Sequence, residues 1–447
     1  MNQLLTVGQH IQSKNSRMAL NVELFLGGGG QGEVYRVAVE GRPLAAKWYF
    51  PHYLRQDTRL RERLDRAIQL GPPSDRFLWP LEIVNAPGIA GFGYIMALRE
   101  PRFQGMADLV TRRVVPSFQT LVTTGFELAN SYYQLHAKGF CYRDISFGNV
   151  FFDPDTGEVR ICDNDNVDID GQPGAIGGTA RFMAPEIVRG ETPPNTQTDL
   201  FSLAVLLFYL LMNHHPLEGA QEAAIRCFDR PAMVKLYGTH ARFIFDPADD
   251  SNRPVPGQHD NALAFWPIYP TFLRKLFTRA FTDGLTDPMH GRVRESEWRA
   301  AMTQLRDTLC YCPACQAENF YDAEAMRAGG NSATAGSCWA CGQPVRLPPR
   351  IRLTHGNRHQ IVVLRHDARL YPHHLDRNRL YDFSRPLAEI AIHPTNPSIW
   401  GLRNLGDDKW VATLPNGEVR DIPPTRTVTI ATGLRVQFGA SEGELRL

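Results

Sequence analysis

Three polar residues at fixed spacing carry the chemistry of this chain: Asp144, Asn149 five residues on, and Asp163 fourteen further. They lie in Tyr142-Arg143-Asp144-Ile145-Ser146-Phe147-Gly148-Asn149 and Ile161-Cys162-Asp163-Asn164-Asp165. Between them Val150-Phe151-Phe152 and Val159-Arg160-Ile161-Cys162 read as a pair of short apolar strands. Phosphoryl transfer needs such a set. One carboxylate orients a hydroxyl nucleophile, while an amide oxygen and a second carboxylate hold magnesium against nucleotide phosphates. A lone D-x4-N is weak evidence, so the flanking sequence decides its weight.

Upstream, Leu26-Gly27-Gly28-Gly29-Gly30-Gln31-Gly32-Glu33-Val34 fits G-x-G-x-x-G-x-V at Gly27, Gly29, Gly32 and Val34. Glycines let a turn between strands approach phosphates with no side chain in the way, and its N–H groups can point at the anion. Thirteen residues after Val34, Lys47 ends Ala45-Ala46-Lys47 in an apolar stretch and can pair with phosphates. Alone, the glycine run fits a surface turn equally well. A dinucleotide-binding turn is excluded, because strand signals follow Gly32 where that motif needs a helix.

Downstream come Gly178-Thr179-Ala180-Arg181-Phe182-Met183-Ala184-Pro185-Glu186 and Thr198-Asp199-Leu200-Phe201-Ser202. With these, residues 20 to 305 resemble the eukaryotic-type (Hanks-type) serine/threonine protein kinases found in bacteria. A-P-E and the D-x-x-S helix start set that family apart from small-molecule kinases sharing the D-x4-N loop. The resemblance implies a bilobal α+β fold and the cofactors ATP and Mg2+. It makes Asp144, Lys47, Asn149 and Asp163 catalytic, with Asn149 and Asp163 as magnesium ligands. Gly27, Gly29, Gly32, Val34, Ala45, Lys47, Met96, Leu98 and Phe151 would contact the nucleotide, Met96 as gatekeeper and Ala97 and Leu98 as hinge. Glu62 fits best as the carboxylate partner of Lys47, with Asp65 second, on a helix expected from about Asp57 to Leu70; both also fit solvated surface charges. Arg292 resembles the late arginine that pairs with Glu186.

Four positions depart from the family pattern. Tyr142 replaces the catalytic-loop histidine, a scaffold position. Ser146 replaces a lysine that steadies the transferring phosphoryl charge, a loss expected to slow transfer. The D-F-G triplet reads Asp163-Asn164-Asp165, without the apolar residue or the hinge glycine, which implies a less mobile activation segment. Asp165 would add a carboxylate near the phosphates. Thr179 stands where the family has a structural or substrate-contacting threonine.

With 447 residues the chain should hold two or three domains. Its 43% hydrophobic and 21% charged residues describe an ordinary globular composition. Lys and Arg number 48 against 47 Asp and Glu, so no nucleic-acid or other polyanion partner follows from charge. The longest apolar run, Leu203 to Met212, is too short to span a bilayer and reads as a buried central helix. The start of the chain lacks the basic and apolar parts of a signal peptide, so a cytoplasmic location is expected. Cys141, Cys162 and Cys227 lie in apolar stretches and read as small buried residues.

Cys312-Pro313-Ala314-Cys315 and Cys338-Trp339-Ala340-Cys341 form two C-x2-C pairs separated by 22 residues. Each such turn aims two thiolates at one point, and four complete the tetrahedron that zinc prefers. The pattern over 308–345 resembles a zinc ribbon, with Cys312, Cys315, Cys338 and Cys341 as ligands of a closed, structural Zn2+. Disulfides do not suit the expected compartment, and no thioredoxin-like context supports a redox role. Cys310 reads as a bystander, Ala328 to Ser337 as a flexible tip. Without a basic cluster, the module reads as a spacer or docking element rather than a nucleic-acid binder.

Beyond Pro349 short runs of period two alternate with Gly/Pro/Asn turns, which predicts an all-β sandwich over 350–447. From Trp400 to Gly439 it resembles a forkhead-associated domain, but the segment Ile392 to Pro397 lacks the serine/histidine turn of a phosphothreonine reader, leaving Arg403 as the one arginine in place. A docking surface without phosphopeptide recognition is therefore expected. His355, His359, His366, His373 and His374 show no ligand spacing and read as solvated loop histidines. Kinase (1–305, lobes meeting near 97/98), zinc ribbon and forkhead-associated-like sandwich together resemble the kinases of tellurium-resistance-associated phosphorylation triads. That resemblance implies a von Willebrand A-type protein and a metal-dependent phosphatase as partners, besides a protein substrate, and no membrane. The alternative reading is a nucleotide-binding pseudokinase scaffold, favoured by Ser146 and the Asp-Asn-Asp triplet. A small-molecule kinase is disfavoured by Ala184-Pro185-Glu186.

Overall fold

The computed structural model describes residues 3–170, 178–328, 334–356 and 358–447. The backbone divides into two compact units, one of Met1–Phe265 with Lys275–Arg299, the other of Trp266–Arg274 with Ala300–Leu447.

The first unit begins with a closed antiparallel barrel. Its strands are β1 (His10–Ser13), β2 (Ala19–Gly28), β3 (Gly32–Val39), β4 (Arg42–Tyr49), β5 (Glu82–Asn85) and β6 (Gly93–Ala97), in the order β1-β2-β3-β4-β6-β5. Side chains alternate across a strand, and β4 uses both faces. Ala46 and Trp48 join Tyr35, Val37 and Ile95 in one core, while Ala45 and Tyr49 join Tyr94, Met96, Leu60 and Leu64 in another. Lys47 therefore points to the same side as Ala45 and Tyr49, and it is buried there. Close strand approach demands glycine at Gly32, where an added Cβ would lie 2.2 Å from the Trp48 carbonyl oxygen.

The helix expected over 57–70 is α2 (Leu60–Leu70), ended by Gly71 at φ 68°, and a separate short helix, α1 (Pro51–Gln56), precedes it. Farther along, helix Phe118–Ala137 starts on a Ser117 side-chain cap. Helix Thr196–Met212 starts on a capping box of Asn195 and Thr198, and it is buried from Thr198 through Met212, as its uniform apolarity requires. Phe208 packs edge-on against Phe243, Phe277 and Phe281. Cys141 is buried and Cys162 half-buried, but the expectation of burial fails at Cys227, which is exposed in the loop between Ala223 and Arg230.

In the second unit two short hairpins, Leu309–Tyr311 with Glu318–Phe320 and Thr334–Ser337 with Pro344–Arg346, carry the cysteine pairs. The tip expected at 328–337 falls partly outside the described residues. A six-stranded and a four-stranded antiparallel sheet follow. Alternating residues such as Ile351, Leu353, Leu402, Val436 and Leu445 build one shared core between them. The cysteine hairpins and the sheets lie in the same compact unit, and Val363 shares an apolar cluster with Cys310, Cys312 and Cys338. Among the described residues, no helix is long and apolar enough to cross a membrane.

Candidate active site

A cleft of about 590 Å³ opens between the glycine turn and the Asp144 loop. It is lined by Gly27, Gly29, Gly32, Val34, Ala45, Lys47, Met96, Leu98, Asp144, Phe151 and Asp163, with Ala97 beside them. The structure thus brings together the residues expected around a nucleotide, except Asn149 and Glu62. Asn149 lies one shell back, its amide donating to the Asp144 backbone oxygen at 2.8 Å and to Asp144 Oδ2 at 3.1 Å. The Thr179 hydroxyl donates to Asp144 Oδ1 at 2.8 Å. Asp144 is therefore held by two side chains, one on each carboxylate oxygen.

Glu62 is a correction. Its side chain is 62% exposed and meets Arg59 and Arg66, neighbours on its own helix face. Asp65 pairs with Lys14 at 3.7 Å. Lys47 Nζ instead lies 3.0 and 3.1 Å from the two carboxylate oxygens of Asp165 and 3.2 Å from Asp163 Oδ1. It also donates to the Gln31 side chain, whose amide nitrogen reaches Asn166 Oδ1 at 2.9 Å. The cause is the Asp-Asn-Asp triplet. Asp163 adopts a left-handed conformation at φ 48°, and a 3-10 turn over Asn164–Asn166 follows, with Asn164, Asp165 and Asn166 buried. Asn164 bonds the backbone oxygens of Leu78 and Ile161, both at 2.9 Å. Asp165 is driven under Lys47, where the Tyr49 and Tyr94 hydroxyls donate to it at 2.7 and 3.2 Å.

Burial opposes the charge on Lys47, but Asp165 and Asp163 outweigh it and hold its pKa above the ordinary value. Burial also opposes ionisation of Asp165, yet Lys47 and the tyrosine hydroxyl keep it below the ordinary carboxylate range. Asp163 goes the other way: burial raises it, Lys47 opposes, and Asp165 adds repulsion. Its side chain is 37% exposed, at the cleft. A carboxylate pushed up by burial, and further by a neighbouring carboxylate, is one that a divalent cation would relieve. With Asn149 five residues from Asp144, the donors present are the oxygen set that magnesium takes.

Behind the loop, Asp199 accepts from the backbone N–H of Tyr142 and, at 3.0 Å, of Arg143. His136 bridges Asp199, at 3.1 Å, and Glu295. The Tyr142 hydroxyl donates to the Cys162 carbonyl, so this residue ties the loop to the strand before Asp163. Arg143 pairs with Asp168 at 3.1 Å. Arg292 meets both oxygens of Glu186, at 2.7 and 2.8 Å, as the sequence implies. The sequence reading missed His136, Gln31, Arg63 and Asp168. Residue type and spacing name no partner for any of the four, since each pairs with a group distant in the sequence or on another element.

The four paired cysteines form a second candidate centre. Cys312 and Cys341 sulfurs lie 3.7 Å apart, as do those of Cys315 and Cys338, and all four lie within 4.8 Å of one another. A disulfide needs about 2.05 Å, whereas a tetrahedron with Zn–S bonds of about 2.3 Å has edges of about 3.8 Å. The cysteine cluster is therefore compatible with zinc. Burial opposes the Cys338 thiolate, but the Asn319 amide and the N–H groups of Cys341 and Ala340 bring its pKa down to about 6.

A further cluster, Asp307, His373 and His374, corrects the expectation of solvated loop histidines, since both imidazoles are buried. Their Nδ1 atoms accept the backbone N–H of Tyr381 and Tyr371, at 2.9 and 2.8 Å. That places the proton on Nε2, which in His374 donates to Asp307 at 3.1 Å. A metal-bound imidazole has its second nitrogen donating, so this cluster is a hydrogen-bonded staple. His359 and His366 are exposed, and the side chain of His355 lies outside the described residues.

Residues 95–260 match the model of the protein kinase domain family. A protein kinase domain is thus present over a span that holds the Asp144 loop, Asn149, Asp163 and Glu186, while the glycine turn and Lys47 precede the matched residues. The chain is 26% identical to a probable serine/threonine-protein kinase of Corynebacterium efficiens over 213 residues, 45% of this chain and 32% of that protein. It is 26% identical to the serine/threonine-protein kinase pkn2 of Myxococcus xanthus over 215 residues, 43% of this chain and 24% of that protein. Identity to the protein kinase MCK1 of Saccharomyces cerevisiae is 34% over 131 residues, 28% of this chain and 34% of that protein. The chain thus spans a third or less of the length of most of these relatives.

Proposed function

We propose that this chain is an ATP-dependent serine/threonine protein kinase, transferring the γ-phosphoryl group to a protein hydroxyl in a bacterial signalling or stress response. The observation that carries this reading is the convergence of Lys47, Asp144 and Asp163 on one cleft beneath the glycine turn. Lys47 positions the α/β-phosphates, and Gly27, Gly29 and Gly32 cover them. Val34, Ala45, Met96, Leu98 and Phe151 enclose the base. Asp144, fixed by Asn149 and Thr179, orients the attacking hydroxyl. Asn149 and Asp163 would hold magnesium, which when bound neutralises the charge of the phosphates. The protein's share is orientation and electrostatics, with no covalent intermediate.

The second reading, a nucleotide-binding scaffold without transfer, draws on Ser146, which leaves no lysine two residues after Asp144. Incubation with γ-labelled ATP separates the two: label on serine or threonine supports the kinase, while nucleotide binding without label supports the scaffold.

The cysteine module at 308–345 is read as a zinc ribbon with a structural metal, and 350–447 as a forkhead-associated-like sandwich that docks a protein. In that sandwich Arg403 pairs with Glu389 at 2.9 Å across neighbouring strands, which leaves it engaged rather than awaiting a phosphate. A von Willebrand A-type protein and a metal-dependent phosphatase are the partners that the domain order suggests.

A further inference from the structure

The six residues from Asp163 to Asp168 do more than offer a metal ligand. Asp165 has a fully buried carboxylate, and Lys47, Tyr49 and Tyr94 occupy both of its oxygens. It cannot turn toward solvent without stranding two buried hydroxyls, costly to leave unpaired, and taking from a buried ammonium the carboxylate that meets it with both oxygens. Asp168 is equally buried, 3.1 Å from Arg143 and 4.0 Å from Arg63.

Arg63 is the charged residue on the buried face of α2, beside Leu60, Leu64 and Ala67. It holds Asp57 through two bonds of 2.9 and 2.7 Å and reaches the Asp165 backbone oxygen at 3.4 Å. A basic residue therefore occupies the helix face that would otherwise offer Lys47 a carboxylate. Both acids of that helix, Glu62 and Asp65, engage basic residues away from the cleft. Three buried cations, Lys47, Arg63 and Arg143, thus face four carboxylates, Asp57, Asp163, Asp165 and Asp168.

We infer that Asp165 and Asp168 are positioning residues of the catalytic site, Asp165 holding Lys47 in place of an α2 carboxylate and Asp168 holding Arg143 where segment phosphorylation would otherwise supply the anion. This inference rests on the kinase reading. Kinases commonly assemble their sites when a helix swings a carboxylate onto the lysine, or when a phosphorylated segment pairs with arginine. Here both counter-charges come from one short stretch, a 3-10 turn over Asn164–Asn166 and the strand residue Asp168 after it, held by Asn164 on the Leu78 and Ile161 backbone oxygens and by strand pairing to Phe140–Cys141. Assembly requires neither a shift of α2 nor a phosphate.

Two arms test it, on the full chain with a basic protein as phosphoryl acceptor. In the first, Asp165→Asn is compared with Glu62→Gln. Asp165→Asn is expected to lower kcat/KM for ATP at least tenfold while KM for the acceptor stays within twofold, a split that general loosening of the fold would not give. Glu62→Gln is expected to match wild type. The reverse ranking overturns the inference. If Asp165→Asn is insoluble, Tyr49→Phe with Tyr94→Phe releases the same carboxylate, and a threefold or greater loss in kcat/KM for ATP is expected; no loss overturns it.

In the second arm the wild type is stripped of phosphate by a phosphatase, checked by mass spectrometry and repurified. Its first-turnover rate should stay within twofold of the untreated protein, and Asp168→Asn should lose at least tenfold. A tenfold loss on dephosphorylation overturns the role of Asp168. If wild type transfers no phosphate at all, the kinase reading fails separately. Affinity for a fluorescent ATP analogue then decides on Asp165: tenfold weakening in Asp165→Asn but not in Glu62→Gln supports its role, and equal affinities overturn it.

Discussion

His136 offers the sharpest quantitative test of how the catalytic loop is held. Its side chain is 7% exposed and sits between Asp199 and Glu295, both nearly buried. Burial disfavours its charge, but the two carboxylates outweigh burial and raise its pKa from 6.5 to about 9. A histidine whose folded pKa is raised stabilises the fold fully below its unfolded pKa, and the contribution is lost as pH rises through the folded value. The window is thus pH 6.5 to about 9. At 1.36 kcal/mol per unit, that shift corresponds to about 3 kcal/mol. Because Asp199 holds the N–H groups of Tyr142 and Arg143, the same proton steadies the loop that carries Asp144. Replacing His136 by Gln keeps polar contacts and removes the titration. Denaturant unfolding of both proteins at half-unit intervals from pH 6 to 9.5 reads the difference, and the rest of the chain cancels in it. Wild type should lead His136→Gln by about 3 kcal/mol more at pH 6 than at pH 9.5. A pH-independent gap would refute the charged bridge, and a gap widening with pH would reverse its sign.

Other outcomes follow from the same geometry. Purified protein should contain about one zinc per chain; Cys338→Ser should lose it, and elemental analysis with limited proteolysis of 308–345 checks both. Gly32→Ala forces a Cβ onto the Trp48 carbonyl, whereas Gly29→Ala meets nothing within 4 Å, so the melting temperature should fall clearly only in the first. Arg292→Ala leaves Glu186 buried without its counter-charge and should cost about 3–5 kcal/mol in unfolding free energy.

Much of the site was legible because its residues follow one another in order along the chain. The glycine turn, Lys47 and the Asp144 loop can be read by spacing, since β4 and the short strands after Asn149 fix where those residues point. Pairing across the fold was not legible. Nothing local distinguishes Glu62 from Asp165 as the partner of Lys47; the choice depends on Asp163 taking a left-handed conformation and on two tyrosines from different strands receiving the carboxylate. Buried His373 and His374 looked like loop residues because their partner, Asp307, lies far back in the sequence. In the C-terminal sheets the apolar strands were visible by alternation. The strand Ser441–Arg446 was not, because Ser-Glu-Gly-Glu-Leu-Arg reads as a polar tail. It nevertheless lies between Arg350–His355 and Arg435–Phe438, with Gly443 against Ile351 making room for the core.

The central claim is that Asp144 orients a protein hydroxyl for attack on ATP, and one paired measurement tests it directly. Wild type and Asp144→Asn are incubated with magnesium and γ-labelled ATP, and label on protein serine and threonine is followed alongside affinity for a fluorescent ATP analogue. The account predicts labelling by wild type, a loss of at least a hundredfold in Asp144→Asn, and nucleotide affinity equal in the two. Unchanged labelling in Asp144→Asn would contradict it.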